Sequence, residues 1–464
     1  MLDYLYIHKY IWKYWKFKPI QVPQLWITTS ALLSLGMNST SESLINSADI
    51  SVEIATVFNC RVISSQAGWF TTIFYNSHSI NEIRQIYLVL LPFRWLDRIR
   101  QRPNDEAIFG IRNTISELVN DEYSEEIAVA ELSYRISWLA DLPVVTDIHK
   151  KESPLLPTSR VSSIGASLFD LTLLRKRSFN YLKSFSMSDI PFSNNLSLDP
   201  DLNYWRKEVK YIKNNYIDVE VDQRAAFLAS SGHLLLGYGI PNQTNSNLEF
   251  LLRCKQLPFG LWYVTLPPGN LLNGLSTSLP LPHQRMLWNS FSTFWLTTRA
   301  LQHLFSPVCY GGAGLSIKDL VIRKAFLWPK QATILRGWTE ILRQRLAKSH
   351  SNCNQFQVDF LKIIYKSFLG RMSSSFHPPK RRYYQQLAWV SSIRADTRWR
   401  ALRYATSIAN TYGLYPIAAY NIDSFLYRIP INLNPFVLNE SPNSNTGLYR
   451  NGSYRIKHLY YKGS

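Results

Sequence analysis

The chain has 464 residues, of which 46% are hydrophobic and 18% are charged. This length allows two to four domains with real cores, and the apolar content excludes an intrinsically disordered protein. The formal net charge of +19 indicates a polyanionic partner and favours nucleic acid over a membrane surface, with a solvated basic surface as the simpler alternative. No run of roughly 20 apolar residues occurs, so we expect no stable membrane insertion.

The N-terminal part of the chain predicts structure but does not identify a function. Residues 1–150 have mixed strand and helix patterns, with helical spacing over 105–141, and predict a mixed α/β domain. A linker rich in Pro, Ser and Lys is predicted at 149–164, followed by a helix with a basic face at 162–185.

The cysteines indicate a reducing compartment. They form no CxxC pair, and no His lies at metal-ligand spacing from any of them. We therefore expect a cytoplasmic protein whose thiols are reduced and mostly buried. The four residues are Cys60, Cys254, Cys309 and Cys353.

A first candidate site residue follows a strand pattern. Residues 217–221 alternate apolar and acidic side chains, which predicts a strand that ends at Asp222. Further along, a strand is predicted from residue 261, and a helix is predicted at 283–305. An acid at a strand end projects a carboxylate beside a sheet edge, although a single such Asp is more often a turn or cap residue.

Two helical patterns come next, at 330–348 and 356–371, and a short polar link joins them. Such a pair predicts an antiparallel helical hairpin. Lys362 and Lys366 are four residues apart and therefore share a helix face. That face could meet a triphosphate, whereas an isolated lysine pair more commonly marks a solvated helix face.

Residues 371–403 combine eight Lys and Arg with a single acid, Asp396, and with interleaved aromatic residues that include Tyr383, Tyr384, Trp389 and Trp399. Cations on phosphates and rings on bases are how proteins hold single strands and template backbones. An ordinary basic helix with its aromatic face in the core is the alternative, and burial is the commoner fate of these rings. The candidate contacts with nucleic acid are Arg381, Arg382, Arg394 and Arg398.

A second acid lies in a predicted hairpin turn. Apolar residues flank the segment from Asn421 to Ser424, which suits a turn between two strands and places Asp423 at its tip. Asp222 and Asp423 could together clamp two Mg²⁺ ions about 3.5–4 Å apart, as nucleotidyl transfer requires. A basic strand is predicted at the end of the chain, over residues 448–457.

These three segments resemble motifs A, B and C of family B DNA polymerases, most closely the divergent polymerase-like proteins of bacterial plasmids and mobile elements. The resemblance covers roughly residues 205–462. Asp222 matches the metal-binding acid of motif A, and Phe227 falls where the family has the tyrosine that excludes a ribose 2′-OH. In motif C, Asp423 and Ser424 match, and Asn421 replaces the first Asp of the family pattern.

Motif B matches at Lys362, Ser367 and Gly370, whereas Lys366 replaces the family's Asn and Leu369 its Tyr. The family also has an arginine that meets the triphosphate on the preceding helix, and Arg343 is our candidate. The segment that ends at Lys457 resembles the basic motif that touches the primer–template.

The resemblance implies an α+β fold with a polymerase-like palm, which is an antiparallel sheet with helices, together with a helical-hairpin fingers region. It implies Mg²⁺ bound by Asp222 and Asp423, with Lys362 as a catalytic cation. Phe227, Lys362, Lys366, Gly370 and Arg343 would bind the nucleotide. The expected domains are the mixed N-terminal domain (1–150), a linker and basic helix (151–204), the first palm part (205–329), the fingers hairpin (330–371) and the second palm part (372–464).

The implied function is a DNA-directed DNA polymerase without proofreading that serves replication of a plasmid or other mobile element. Its partners would be primer–template DNA and dNTPs, with a terminal or priming protein as a further candidate partner. The substitutions at Asn421, Lys366 and Leu369 favour an alternative, a non-catalytic nucleic-acid-binding replication protein on a degenerate palm. A third hypothesis, prompted by the aromatic and lysine-rich N-terminus, is a protein associated with a membrane surface.

Overall fold

In the computed structural model, the chain divides into two compact units, residues 1–175 and 176–464. The residues that the structure describes are 25–27, 69–75, 86–92, 161–173, 182–184, 198, 203–206, 216–245, 257–353, 355–374, 377, 379–439 and 452–461. The helical pattern at 105–141, the linker up to residue 160, and Cys60 and Cys254 lie outside them.

The first unit contains a small antiparallel sheet with strand order β1-β3-β2. Its strands are β1 (Leu25–Ile27), β2 (Trp69–Tyr75) and β3 (Ile86–Pro92). Helix α1 (Val161–Leu173) begins within the segment predicted as linker and covers the first half of the helix predicted at 162–185. Residues 182–184 are not helical, so the predicted helix is too long.

The second unit contains two larger antiparallel sheets, a short two-stranded ladder and five helices among its described residues. The strands are β4 (Tyr204–Trp205), β5 (Tyr216–Gln223), β6 (Leu236–Tyr238), β7 (Asn242–Thr244), β8 (Gly260–Leu266), β9 (Ser292–Thr297), β10 (Val321–Leu327), β11 (Lys330–Ala332), β12 (Pro416–Tyr420), β13 (Ser424–Pro430) and β14 (Tyr454–Tyr461). The helices are α2 (Ala226–Ser231), α3 (Thr298–Phe305), α4 (Arg336–Ser351), α5 (Gln355–Ser373) and α6 (Leu387–Tyr412).

The five-stranded sheet has the order β14-β5-β13-β12-β4, with every neighbour antiparallel. Side chains alternate strictly along β5, so Ile217, Val219 and Val221 are buried on one face. Helix α6 packs on that face through Tyr404 and Ala405. The opposite face of the sheet carries the acids of β5 and is available for chemistry.

A four-stranded antiparallel sheet, in the order β7-β10-β8-β9, follows in the chain. The helix predicted at 283–305 is wrong in its first part, because residues 292–297 form a strand and only Thr298–Phe305 is helical. All six residues of β9 pair with β8, and Leu296 is buried in the same cluster as Trp262. This long-range pairing overrides the local pattern, which resembles an apolar helix.

The helical hairpin predicted between residues 330 and 371 is formed by α4 and α5. Its start differs from the prediction, because Lys330–Ala332 is a strand and the helix begins at Arg336. The two helices pack through apolar stripes at helical spacing. The ring centroids of Trp338 and Phe368 are 5.4 Å apart. Antiparallel sheets, packed helices and this hairpin confirm the predicted α+β class.

No helix in the described part of the chain is long and apolar enough to cross a bilayer. Cys309 and Cys353 are free thiols, but their predicted burial is wrong, because both are exposed. Both lie at turns outside the apolar core: Cys309 is in a short 3-10 helix, and Cys353 has a φ of 52° directly after α4.

Asp396 is a buried carboxylate on α6 and is 0% exposed. It accepts hydrogen bonds from Arg299 Nε (2.7 Å) and Arg400 Nε (2.9 Å), and His233 Nε2 lies 3.5 Å away. Burial alone would raise its pKa, but the His233 hydrogen bond and the two arginine charges outweigh burial and hold the pKa well below its usual range. The network ties α3, α6 and the segment after α2 together.

We expect Asp396→Asn to reduce the free energy of unfolding by about 3–5 kcal/mol, because it leaves two guanidinium groups without their buried counter-charge. Since the folded-state pKa is depressed, the wild-type contribution is present above the unfolded pKa and is lost as pH falls through the folded pKa. Urea denaturation at pH 7 measures the effect. Asp359→Asn, which removes an exposed carboxylate from an ion pair, is the control and should cost less than about 1 kcal/mol. Equal losses in the two variants would contradict this assignment.

Candidate active site

Three acids of β5 share the face of the sheet that α6 does not cover. Arg428 on β13 donates two hydrogen bonds to Asp218, at 2.6 and 2.8 Å. Glu220 accepts from Lys457 Nζ at 2.9 Å. Asp222 accepts from the Ser424 hydroxyl at 2.7 Å, and it forms no salt bridge with any residue the structure describes. The first two acids of the strand therefore have cationic partners, whereas the third accepts a hydrogen bond from a hydroxyl.

The hairpin of β12 and β13 brings the second acid to the same place. Tyr420 pairs with Ser424 across a three-residue turn, and Asp423 is its last residue. Asn421 opens the turn with a φ of 54°, a left-handed conformation that Asn tolerates better than most residues. Ser424 also pairs directly with Asp222 on β5, so the register sets Asp423 beside the end of that strand.

The pKa of Asp423 responds to the charge of Asp222. Burial and the charge of Asp222 raise the pKa of Asp423 to about 7, and the charge of Lys366 acts in the opposite sense. This effect places Lys366 of α5 within electrostatic reach of Asp423. The fold therefore brings together three predicted site residues from distant segments, Asp222, Asp423 and Lys366, whereas Lys362, the predicted catalytic cation, pairs with Asp359.

Lys457 lies at a β-bulge in β14, where the register with β5 shifts between Ile456 and His458. Lys457 is two residues after Arg455, which is opposite Asp222, so both side chains lie on the acid face, and the ammonium of Lys457 bonds to Glu220. Lys457 is exposed and its charge reaches both Asp423 and Asp222. It is thus placed at the rim of the carboxylate pair.

The outer face of α5 carries the motif B residues. Lys362 is partly exposed and Lys366 is exposed, as expected for residues four apart on one face. Lys362 Nζ lies 3.2 Å from Asp359 Oδ1, an ion pair open to solvent. Gly370 continues the same face, and a Cβ added there would meet no atom within 4 Å. Its role is therefore not close packing within the protein, and it leaves the face open.

A group of basic side chains borders the acids: Arg224, His350, Lys362 and Arg455. The sequence analysis did not single out Arg224 or His350. Burial and the charges of Arg455, Lys362 and Arg224 lower the pKa of His350 to about 4. This coupling places the end of α4, the middle of α5 and the ends of β5 and β14 around one space. Arg455 pairs directly with Asp222 in the sheet. The signal for Arg224 was its position two residues after Asp222, whereas His350 had no sequence signal.

The remaining nucleotide-binding candidates lie on neighbouring helices. Arg343 is exposed on α4 and is seven residues before His350, so the two share a helix face. Phe227 is partly exposed in α2, directly after the turn that follows Asp222. These positions are compatible with the predicted roles, which stay predictions.

The prediction that Arg398 contacts nucleic acid is wrong. Its side chain is 1% exposed, its Nε donates to the carbonyl of Pro282 at 3.2 Å, and burial lowers its pKa to about 9. Residues 371–403 include a short 3-10 helix and much of α6. Because the arginines of α6 lie on different faces of the helix, they differ in exposure. Arg382 is exposed and Arg394 is partly exposed, whereas the side chain of Arg381 lies outside the described atoms.

The aromatic residues of this stretch are mainly core residues, as the alternative interpretation held. Trp389 is 0% exposed and donates from Nε1 to the carbonyl of Gly237 at 2.6 Å. Tyr384 is 4% exposed and packs beside the Tyr383 ring at 4.3 Å. These rings stabilise the packing of α6 and are not platforms for bases.

The carboxylate pair fits Mg²⁺ by its chemistry. Mg²⁺ prefers carboxylate oxygens and is usually held by one or two of them together with water and substrate phosphates. The mutual repulsion that raises the pKa of Asp423 would be relieved by a divalent cation between the two groups. The described ranges contain no cluster of three or more His, Cys, Asp or Glu placed to hold a metal, so a closed, all-protein metal cage is not present there.

No protein-family model matches the chain, and no curated protein matches it in sequence. Solved structures with partial similarity include those of Phi29 DNA polymerase. The complex with single-stranded DNA has 12% identity and a TM-score of 0.42, over 73% of this chain and 56% of that chain. The ternary complex with primer-template DNA and incoming nucleotides has 10% identity and a TM-score of 0.44, over 73% and 57%.

The post-translocation binary complex of the same polymerase with primer-template DNA has 11% identity and a TM-score of 0.45, over 73% of this chain and 56% of that chain. The chain thus spans a little over half the length of these proteins. Identities of 10–12% with TM-scores below 0.5 are too low to assign a family.

We expect the affinity for Mg²⁺ to rise with pH below about pH 7, by up to about tenfold per pH unit, because the metal must displace the proton of Asp423. Isothermal titration calorimetry between pH 5.5 and 8 measures this slope. Asp423→Asn should bind weakly at every pH. An affinity that is independent of pH in the wild-type protein would contradict the proximity of the two carboxylates.

Proposed function

We propose that the chain is a DNA-directed DNA polymerase of the family B type that transfers nucleotides with two Mg²⁺ ions. One observation carries the proposal: the direct pairing of Asp222 with Ser424, which sets Asp423 beside Asp222 on an otherwise ion-paired face of the sheet. The order of the three motifs along the chain supports it as well.

The residues have distinct roles in this proposal. The Ser424 hydroxyl orients the carboxylate of Asp222 through the 2.7 Å hydrogen bond. When bound, Mg²⁺ would neutralise charge on the phosphates and activate the attacking oxygen. Lys366, with Lys362 and Arg343 on the neighbouring helix faces, would bind the triphosphate and hold it in line. Phe227 would lie against the sugar, and the open face at Gly370 would leave room for the nucleotide.

The proposed setting is the replication of a plasmid or other mobile element in the cytoplasm. Primer–template DNA and dNTPs would be the partners, and a terminal or priming protein is a further candidate. Proofreading is not included, because Asp218 and Glu220, which have the spacing of a nuclease motif, belong to β5 and pair with Arg428 and Lys457. The domain boundaries at residues 150, 204, 329 and 371 remain part of the proposal.

A non-catalytic nucleic-acid-binding replication protein is the second candidate. The observation that favours it is the charge of Lys366, which acts on Asp423 and would oppose a metal ion there. The left-handed φ of Asn421 gives a conformational reason for that substitution, so Asn421 itself favours neither candidate.

Primer extension with dNTPs distinguishes the two candidates. Asp222→Asn and Asp423→Asn should each reduce the rate on the order of 10³-fold or more, because each removes a metal ligand that stabilises the transition state. Asp319→Asn, an equivalent change at an exposed carboxylate remote from β5, should retain the wild-type rate. Wild-type protein that binds primed DNA but does not extend it would establish the non-catalytic alternative.

DNA binding should depend on the arginines just before α6 and in its first half. Each phosphate contact adds about 0.7–0.9 to the slope of log affinity against log salt, so the triple change Arg381→Gln, Arg382→Gln and Arg394→Gln should flatten the slope by about two to three units. The loss should be similar for all DNA sequences, because phosphate contacts position DNA without reading it. Filter binding at salt concentrations from about 50 to about 300 mM measures the slope of log affinity against log salt.

Lys318→Gln, at an exposed position in a 3-10 helix before β10, is the control and should leave the slope unchanged. An unchanged slope in the triple variant would mean that these arginines serve folding or another partner.

A further inference from the structure

A cavity of about 550 Å³ lies on the face of the five-stranded sheet opposite the acids. Gln223 lines it and directly follows Asp222 on β5, and successive side chains of a strand point to opposite faces. The sheet therefore separates the cavity from the carboxylate pair. Its volume falls within the range of roughly 300–1,000 Å³ that is typical of sites for small molecules.

One end of the cavity is basic. Arg299, Arg400 and Arg403 line it together with a single carboxylate, that of Asp396. Asp396 already binds Arg299 and Arg400, so this end keeps an excess of positive charge. Arg403 is exposed, with its guanidinium carbon 5.6 Å from the centroid of the Tyr310 ring. Arginines with such planar donor sets are the preferred partners of phosphate groups.

The other end of the cavity is mainly apolar, with an aromatic ring and an amide. Ile408, Tyr412, Val437 and Asn439 line it, and Tyr412 is 44% exposed. Arg403 and Tyr412 are nine residues apart on α6, which is about 14 Å along the helix axis and half a turn around it, and both line the cavity. The cavity therefore follows the surface of α6, and its chemistry suits a ligand with an anionic group at one end and a flat, polar-edged ring at the other.

Two lining residues also carry buried polar atoms with no hydrogen-bond partner among the described residues. They are the Oε1 atom of Gln223 and the Nε1 atom of Trp399. A buried donor and a buried acceptor without partners are uncommon in folded proteins, and an ordered water or ion is one explanation for them.

We propose that this cavity binds a nucleoside phosphate, with its phosphates on Arg403 and the neighbouring arginines and its base beside Tyr412. The site is separate from the carboxylate pair and does not require a metal ion. It does not depend on the proposed polymerase activity, because none of its lining residues belongs to the proposed catalytic site.

Equilibrium dialysis with radiolabelled dATP in the presence of EDTA tests the proposal, because EDTA removes the metal-dependent contribution of the carboxylate site. The wild-type protein should bind dATP. Arg403→Gln should weaken binding at least tenfold by loss of a phosphate contact. Ser407→Trp should weaken it by a similar factor without a change in charge, because Ser407 is exposed on the cavity wall and an indole there would fill the space.

Two controls separate this site from other basic surfaces. Arg323→Gln removes the same charge from an exposed position on β10 and should leave dATP binding unchanged. The loss caused by Arg403→Gln should be equally large in a Lys366→Gln background, which removes a triphosphate-binding cation of the proposed catalytic site. Thermal denaturation of each variant shows whether it is folded, and Ser407→Trp and Arg403→Gln are both at exposed positions.

The proposal is overturned if the wild-type protein does not bind dATP in EDTA, or if folded Arg403→Gln or Ser407→Trp binds as the wild type does. A loss in Arg323→Gln equal to that in Arg403→Gln would show general attraction to basic charge. Disappearance of the Arg403→Gln loss in the Lys366→Gln background would assign the binding to the carboxylate site. A single-stranded dT oligonucleotide that binds more tightly than dATP and shows the same two losses would make a strand, and not a nucleotide, the ligand.

Discussion

The antiparallel pairing of β5 with β13 is the constraint on which the candidate active site depends. It sets Ser424 opposite Asp222, and Asp423 directly precedes Ser424. Two acids that are 201 positions apart in the sequence therefore meet at one edge of the sheet. A shift of one residue would turn Asp222 towards α6 and Val221 towards solvent. The burial of Ile217, Val219 and Val221 against α6 opposes such a shift.

The same sheet concentrates negative charge where it is not neutralised. Asp218 and Glu220 have cationic partners, whereas Asp222 and Asp423 face each other and raise the pKa of Asp423. Around them lie Lys366 and the basic group that lowers the pKa of His350. Two acids surrounded by cations suit a bound metal triphosphate, because the metal meets the acids and the phosphates meet the cations.

The sequence predicted this arrangement where local pattern and tertiary structure agree. Alternation identified β5, turn residues identified the hairpin at Asp423, and helical spacing identified α4 and α5. Prediction failed where long-range contacts decide, as at β9, whose six residues pair with β8. It also failed at Arg398, because a basic run does not reveal which arginine a helix turns inward, and at Asp396, whose partners come from separate segments.

Anomalous diffraction from crystals grown with Mn²⁺ and a non-hydrolysable dNTP would test the central claim most directly. The account predicts a metal peak bound by carboxylate oxygens of both Asp222 and Asp423, with distances near 2.1–2.2 Å, about those of the related Mg²⁺ ion. A metal bound by only one of these carboxylates, or bound elsewhere on the chain, would contradict it.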